Sequence, residues 1–252
     1  MSKIALKNHW PRPTSAESRL AFTWVRLFVC LATIGVLLAL LLPATRRARP
    51  AAYRMQCSNN LKQIGLALLS YESTYRRLPP AYTVDSNGNR LHSWRTLILP
   101  YLEQNDLYSR VDFSKPWDDP ANEAVCRELL PVYRCPSNST QRGQTTYMVV
   151  VTANSCLQPG KGRKLADCSD PLSDTVLVYE AEPSQAVHWM SPQDADEAMF
   201  VASNENSKTA HTGGRTACFG DGSVRFLSSR VPPKILHGFI TIDGGEHERL
   251  VD

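Results

Sequence analysis

A single apolar run near the N-terminus constrains this chain more than any other feature. Residues 22–42 are 21 positions whose only charge is Arg26. As a helix rising ~1.5 Å per residue, the run would be ~31 Å long, close to the ~30 Å hydrocarbon layer of a bilayer. Arg26 lies near one end, where its long stem can carry the guanidinium to the interface. The run therefore predicts a single transmembrane helix with the lipid bilayer as partner.

The orientation of this helix does not follow from charge. Four basic residues precede the run and five follow it closely, so the positive-inside bias does not decide. The cysteines beyond the run favour an external domain, and we expect a single-pass protein of the inner (cytoplasmic) membrane, N-terminus inside and C-terminal domain extracytoplasmic. A signal peptide cleaved near Ala44 is the alternative, although residues 42–44 form a poor small-x-small site.

Composition limits the classes of function. The 252 residues carry a net charge of +4, and much of that charge flanks the apolar run. No basic face with interleaved aromatics is visible in the rest, so no nucleic-acid partner is expected. Six of the seven cysteines lie outside the run, with no C-x-x-C and no zinc-ligand spacing. They favour an oxidising compartment with disulfides, and reduced buried thiols are the alternative.

Residues 43–79 predict an amphipathic helix that continues from the membrane. Apolar positions recur at spacings of four and three, which places them on one face. We expect this face to pack as core, with a partner helix as the alternative. Pro79 and Pro80 end the helix, and Pro43 and Pro50 predict a kink or short break. The predicted stripe comprises Cys57, Leu61, Ile64, Leu68, Tyr71, Tyr75 and Leu78.

Residues 80–252 predict one α+β domain with an antiparallel sheet, because helical patterns come early and strand patterns late. Asn87-Gly88 indicates a hairpin turn. The predicted division is a leader-like cytoplasmic tail over 1–21, the transmembrane helix over 22–42, the amphipathic helix over 43–79 and the external domain over 80–252. Within that domain we expect helices over 93–108, 122–130 and 232–239 and strands over 145–151, 174–179, 209–219 and 223–227.

The most specific local motif runs from His211 to Asp221-Gly222. Nine residues separate the histidine from the aspartate, which would place them at opposite ends of one strand. We therefore expect Asp221-Gly222 to make a tight turn and His211 to order the preceding loop, with a metal or catalytic role as the less favoured alternative.

Other polar clusters predict no active site. Glu180 and Glu182 follow a predicted strand. Asp194, Asp196 and Glu197 are expected in a solvated acidic loop, because they lack the spacing of a calcium-binding loop, and a calcium site is the less favoured alternative. The glycine-rich basic stretch 160–164 misses the phosphate-loop pattern, and we expect an exposed loop that a Cys156–Cys168 bridge would close. We assign no catalytic residue, no metal ligand and no cofactor, and expect no enzyme activity.

Several motifs in order resemble a known bacterial family. Ala21-Phe22 and the apolar run resemble the start of type IV prepilins and pseudopilins, and Pro43 lies where those helices commonly kink. The stretches 53–68, 92–104, 113–117, 134–137 and 211–222 resemble a prepilin-like branch of unassigned function, domain of unknown function 1559, with a His-x9-Asp-Gly element near its end. The resemblance implies a pilin-like fold, in which a long N-terminal helix packs on an antiparallel sheet with short helices. It also implies that Cys57 and Cys135 pair.

Two residues depart from the prepilin pattern. Ala21 replaces the glycine that usually precedes the cut made by prepilin peptidase. Arg26 stands at the fifth position of the expected mature chain, where pilins usually carry a glutamate that neutralises a neighbour's terminal amine. A central charge of this kind costs ~2.5–3.5 kcal/mol on insertion scales. Ordinary filament growth is therefore disfavoured.

These observations lead to three hypotheses. The first is a non-enzymatic, membrane-anchored, prepilin-like envelope protein with a structural, assembly or binding role. The second is a processed pseudopilin, such as a tip subunit of a type II secretion or type IV pilus-like fibre, with prepilin peptidase and other pilin-like subunits as partners. The third is an envelope hydrolase or metal-dependent enzyme that uses His211.

Overall fold

The computed structural model divides the chain into two compact units, residues 1–49 and residues 50–252. It describes residues 15–138, 140–202 and 207–244, without the side chains of residues 15–23, 25 and 40–49. The predicted processing position Ala21-Phe22 and the whole predicted leader-like tail, residues 1–21, lie outside the described side chains.

One long helix, α1 (Ser15–Tyr75), dominates the N-terminal part of the chain. It is assigned as helix through Pro43 and Pro50, so the predicted short break is absent and the kink at Pro43 stays a prediction. A proline removes one intrahelical hydrogen bond, and the bonds on either side remain. The helix ends four residues earlier than predicted, because Arg76 adopts a left-handed φ of 57°.

The first unit presents apolar side chains to its surroundings. Trp24 is 68% exposed and Phe28 is 74% exposed. In the part of the chain that the structure describes, no helix combines the length and the apolarity needed to cross a membrane. The side chains of residues 22, 23, 25 and 40–42, which belong to the predicted span, are outside that part.

The second unit is an α+β domain, as the sequence predicts. The hairpin forms at Asn87-Gly88, where Gly88 has φ +85° and Asp85 Oδ1 accepts from the amides of Asn87 and Asn89. The predicted helix 93–108 is divided by Pro100 into two short α-helices and a 3-10 turn. The helices are α2 (Trp94–Leu97), α3 (Asn105–Ser109), α4 (Glu123–Cys126), α5 (Glu197–Val201) and α6 (Pro233–Gly238). The 3-10 turns are Leu99–Leu102, Pro120–Asn122, Pro131–Tyr133, Leu165–Asp167 and Pro183–Gln185. The strands are β1 (Tyr82–Val84), β2 (Arg90–Ser93), β3 (Gln144–Thr145), β4 (Tyr147–Met148), β5 (Val176–Glu180), β6 (Val187–His188), β7 (Gly214–Phe219) and β8 (Val224–Ser228).

The central sheet is antiparallel, with the strand order β4-β5-β7-β8. Two further antiparallel pairs, β1-β2 and β3-β6, stand beside it. Both faces of the central sheet are buried, so β5 and β7 carry no exposed residue. This explains why residues 176–179 of β5 form a continuous apolar run, whereas β7 also buries the polar residues Arg215 and Thr216.

The two faces of the sheet belong to two hydrophobic clusters. One cluster contains Leu61, Ile64 and Leu68 of α1 together with Val178 and Cys218 of the sheet. The stripe on α1 is therefore core as predicted, apart from Tyr75, which is 55% exposed because it stands at the helix end.

The second cluster covers the opposite face of the sheet. Phe219 of β7 meets Phe239 edge-on at 5.8 Å, and Tyr179 of β5 meets Phe200 of α5 at 4.8 Å. Residues 217 and 219 of β7 thus face α5 and α6, whereas residue 218 faces α1, as the two-residue period of a strand requires.

A buried ion pair connects distant segments of the domain. Arg95 Nη2 lies 2.6 Å from Asp194 Oδ1, and the two side chains are 0% and 1% exposed. Arg95 also donates to the carbonyls of Tyr147 and Ser191. Asp194 accepts from Trp94 Nε1 and from the Val149 amide. The sequence-based expectation that Asp194 lies in a solvated loop is wrong, because its charge is balanced inside the protein.

Breaking this pair should strongly destabilise the fold. Asp194→Asn leaves the Arg95 guanidinium buried without a countercharge, and we expect a loss of ~3–5 kcal/mol in the free energy of unfolding. Urea unfolding followed by far-ultraviolet circular dichroism measures the loss. The matched control is Glu123→Gln, which removes the exposed pair with Arg127 and should cost less than ~1 kcal/mol. Equal losses in both variants would contradict this account.

Candidate functional site

Four chemically active side chains meet in the interior of the second unit. Cys57 comes from α1, Cys135 from the loop after the 3-10 turn Pro131–Tyr133, Glu180 from the end of β5, and His211 from the loop before β7. All four are buried, with exposures of 0%, 2%, 2% and 5%. Their ligand atoms lie within 4.8 Å of one another. We call this group the Cys-Cys-Glu-His cluster.

The two cysteines of the cluster form a disulfide, as the family resemblance implies. Their Cα atoms are 5.2 Å apart and their positions are separated by 78 residues. The bridge therefore fixes α1 to a loop in the middle of the domain. In the chain-entropy account, closing a loop of this length stabilises a fold by ~4 kcal/mol.

The acid and the imidazole of the cluster face each other and the disulfide. His211 Nε2 is 3.3 Å from Glu180 Oε2 and 3.8 Å from Cys135 Sγ. Although Glu180 Oε2 lies this close to the imidazole, it has no hydrogen-bond partner. Its other oxygen, Oε1, accepts from Asn138 Nδ2 at 3.4 Å, so one carboxylate oxygen is held in place and the other is not.

A β-bulge aims Glu180 at the cluster. The register of β5 against β7 shifts between Val176 and Val178. Val176 faces the cluster of α5 and α6, whereas Val178 faces α1. Side chains alternate between the two faces of a strand. Without the bulge, Glu180 would therefore lie on the same face as Val176, away from the Cys-Cys-Glu-His cluster. The sequence predicts Glu180 directly after the strand, and the structure makes it the last residue of β5.

A surface groove adjoins the disulfide. Its volume is about 440 Å³, and its floor includes the stacked rings of Tyr133 and Trp189, whose centroids are 5.9 Å apart. Gln56 lines the groove, and it precedes Cys57 in the chain. Arg134 and Pro136, which flank Cys135, line it too. The groove is therefore lined by residues adjacent in the chain to both cysteines of the bridge.

The structure separates His211 from Asp221, as the nine-residue spacing predicts. His211 lies three residues before β7, and Asp221 lies in the turn after β7, where Oδ1 accepts from the Ser223 amide. Gly222 has φ +78°, a left-handed conformation that favours glycine. Only the histidine end of the motif belongs to the Cys-Cys-Glu-His cluster.

Both ends of this motif are attached to α1. Arg54 donates to the carbonyl of Thr212 at 3.2 Å, and Lys62 donates to the carbonyl of Gly222 at 2.6 Å. Between them, Cys218 of β7 lies against Gly65 of the helix. Burial raises the pKa of the Cys218 thiol to about 12, so this thiol stays protonated and acts as a packing group. The motif is therefore a strand that lies along the helix.

The second predicted cysteine pair is close in space but is not bridged. Cys156 and Cys168 are thiols, and their side chains hydrogen-bond to each other. That hydrogen bond raises the pKa of Cys156 and lowers the pKa of Cys168. The predicted bridge between them stays a prediction.

Among known proteins, one family matches the chain. Residues 46–208 match the family described as Protein of unknown function (DUF1559). This match spans more than half of the 252 residues, so the chain belongs to that family, as the sequence motifs predict. A search of the curated proteins found no match. A search of the solved structures found none either.

The contact between α1 and β7 is testable through its glycine. A β-carbon at residue 65 would overlap Cys218 Sγ. We expect Gly65→Ala to lower the free energy of unfolding by ~1–3 kcal/mol, although alanine favours helix over glycine by ~1 kcal/mol. Thermal unfolding measures the change.

The double variant Gly65→Ala/Cys218→Ala is the matched control. It removes the sulfur, and it leaves the new methyl about 3.7 Å from the β-carbon of residue 218. This variant should recover most of the loss. A single Gly65→Ala variant as stable as the wild type would show that the helix does not approach the strand this closely.

Proposed function

We propose that the chain is a non-enzymatic, prepilin-like protein of the cell envelope, anchored by residues 22–42, with residues 80–252 outside the cytoplasmic membrane. The observation that carries the proposal is the apolar surface of the first unit, where nine large side chains are each at least half exposed. They are Trp24, Leu27, Phe28, Val29, Leu31, Ile34, Val36, Leu37 and Leu38. Such a contiguous apolar surface marks a site for lipid or for a protein partner.

The second unit supports an external location. A structural disulfide persists in oxidising compartments and is rare in the cytosol, and Cys57 and Cys135 form one. The amphipathic part of α1 lies along an antiparallel sheet, which supports a pilin-like architecture. The family resemblance implies both the Cys57–Cys135 disulfide and a long helix packed on an antiparallel sheet.

We assign a structural or binding role in place of catalysis. Glu180 and His211 are the acid and base of the Cys-Cys-Glu-His cluster, and both are buried against a disulfide. A substrate would have to displace core side chains to reach them. The groove beside the cluster is the better binding surface. Its apolar lining residues, together with Arg134 and Arg142, suit an apolar ligand or peptide that bears an acidic group.

Membrane fractionation combined with intact-mass analysis tests the anchor. We expect the chain to stay in the membrane pellet after alkaline carbonate washing and to be released by detergent, because burying the apolar run of α1 in lipid is favourable. We expect the mass of the full-length chain. Loss of residues 1–21 would instead support the processed pseudopilin, and recovery as a freely soluble cytosolic species would refute the proposal.

Arg26 provides a second test, directed at fibre assembly. We expect Arg26→Glu to increase the fraction of chain that co-sediments with pilus-like fibres in a host that carries prepilin peptidase. The substitution supplies the carboxylate that pilins use to neutralise a neighbour's terminal amine, and it replaces a positive charge that would add to that amine's own. Arg26→Gln is the control, since it removes the charge without supplying a carboxylate. Unchanged sedimentation of the glutamate variant would show that this charge is not what excludes the chain from fibres.

A further inference from the structure

We propose that the Cys-Cys-Glu-His cluster is a redox-gated zinc site, which binds one Zn²⁺ through Cys57, Cys135, Glu180 and His211 when the disulfide is reduced. Two thiolates, one imidazole and one carboxylate are a donor set that Zn²⁺ accepts in tetrahedral geometry. The four ligand atoms are already within 4.8 Å of one another. This inference concerns a site that the proposed envelope role does not use.

The distances in the cluster fit a tetrahedron around one ion. Zn–N and Zn–O bonds of ~2.0–2.1 Å place two such ligands ~3.3 Å apart, and a Zn–S bond of ~2.3 Å places sulfur ~3.6 Å from nitrogen. The observed separations are 3.3 Å from His211 Nε2 to Glu180 Oε2 and 3.8 Å from His211 Nε2 to Cys135 Sγ. The two sulfurs, which are bonded to each other, must move apart for both to bind one ion.

The unpartnered oxygen of Glu180 points independently to a ligand. A buried carboxylate oxygen without a hydrogen bond is costly, and Glu180 Oε2 is such an atom. It lies near His211 Nε2 without hydrogen-bond geometry, which is expected if both lone pairs point at a common centre. Asn138 Nδ2 holds the other oxygen and in turn contacts Thr146 Oγ1 at 2.9 Å. Outer contacts of this kind orient metal ligands.

Reduction and metal binding form a balanced sequence. A dithiol reductant attacks the Cys57–Cys135 bond, the bond breaks through a mixed disulfide, and the reductant leaves as its own disulfide. The protein gains two electrons and two protons as two thiols. Zn²⁺ then replaces both thiol protons, which pass to solvent. Reductant and ion would approach from the groove lined by Gln56, Arg134 and Pro136, which are the chain neighbours of the two cysteines. The disulfide and the metal exclude each other, so the redox poise of the compartment selects the state.

Metal titration of the full-length chain in detergent micelles tests the proposal. The protein is freed of metal with a chelator and reduced with a trialkylphosphine, which takes an oxygen from water as it cleaves the bridge and does not compete as a thiol. We expect one equivalent of Zn²⁺ per reduced chain after desalting and less than a tenth of that in the oxidised chain. Equal uptake in both states, or none in the reduced state, would overturn the proposal.

Variants then assign the ligands. Glu180→Gln and His211→Gln should each weaken Zn²⁺ binding at least ~10-fold, since loss of an outer-shell partner alone costs ~10–100-fold. Cys156→Ser/Cys168→Ser is the matched control, because it removes the neighbouring thiol pair and should retain full binding. If only this control lost Zn²⁺ binding, the metal would belong to Cys156 and Cys168, and the proposed site would be refuted.

Cobalt substitution keeps the test independent of the folding of any variant. Co²⁺ in the reduced wild-type chain should give a thiolate-to-metal charge-transfer band and the intense visible bands of four-coordinate Co²⁺. The weak spectrum of six-coordinate Co²⁺, without the charge-transfer band, would contradict ligation by Cys57 and Cys135.

Discussion

The arrangement of the second unit depends on the buried ion pair between the guanidinium of Arg95 and the carboxylate of Asp194. It brings together α2, the carbonyl of Tyr147 in β4 and the loop that carries Asp194, segments about 50 to 100 positions apart in sequence. A charge is stable in a protein interior only when partners surround it. The buried charge of Arg95 is therefore compensated only when all three segments are in place. This makes the ion pair a cooperative constraint as well as a local contact.

That constraint supports the placement of α1. The sheet that Arg95 helps to fix offers one face to the helix, and Gly65 allows the helix to approach Cys218 closely. The disulfide then holds the helix to the loop around Cys135. Hydrophobic burial, one glycine and one covalent bond thus act on the same helix within about three turns, and the Cys-Cys-Glu-His cluster lies at the Cys57 end of this stretch.

Local patterns in the sequence predicted local structure well and distant contacts poorly. The Asn87-Gly88 hairpin, the apolar stripe of α1 and the Asp221-Gly222 turn depend on neighbouring residues, and all three form. The burial of Asp194 depends on Arg95, which lies 99 positions earlier in the chain, so the acidic neighbourhood of Asp194 suggested solvent. No zinc-ligand spacing was visible because Cys135 lies 78 residues from Cys57 and 76 residues from His211. The bulge that turns Glu180 inward has no sequence signature at all.

The strand over Gly214–Phe219 also gives the interval between His211 and Asp221 a geometric meaning. Side chains alternate between the two faces of a strand, so inserting one residue would exchange every position beyond it. Ala217 would then take the place of Cys218 against Gly65, and Lys62 would lose the carbonyl of Gly222. Adding two residues would preserve the faces but displace the turn by ~7 Å along the helix. The interval between His211 and Asp221 therefore matches the length of α1 from the Cys57–Cys135 bridge to Lys62.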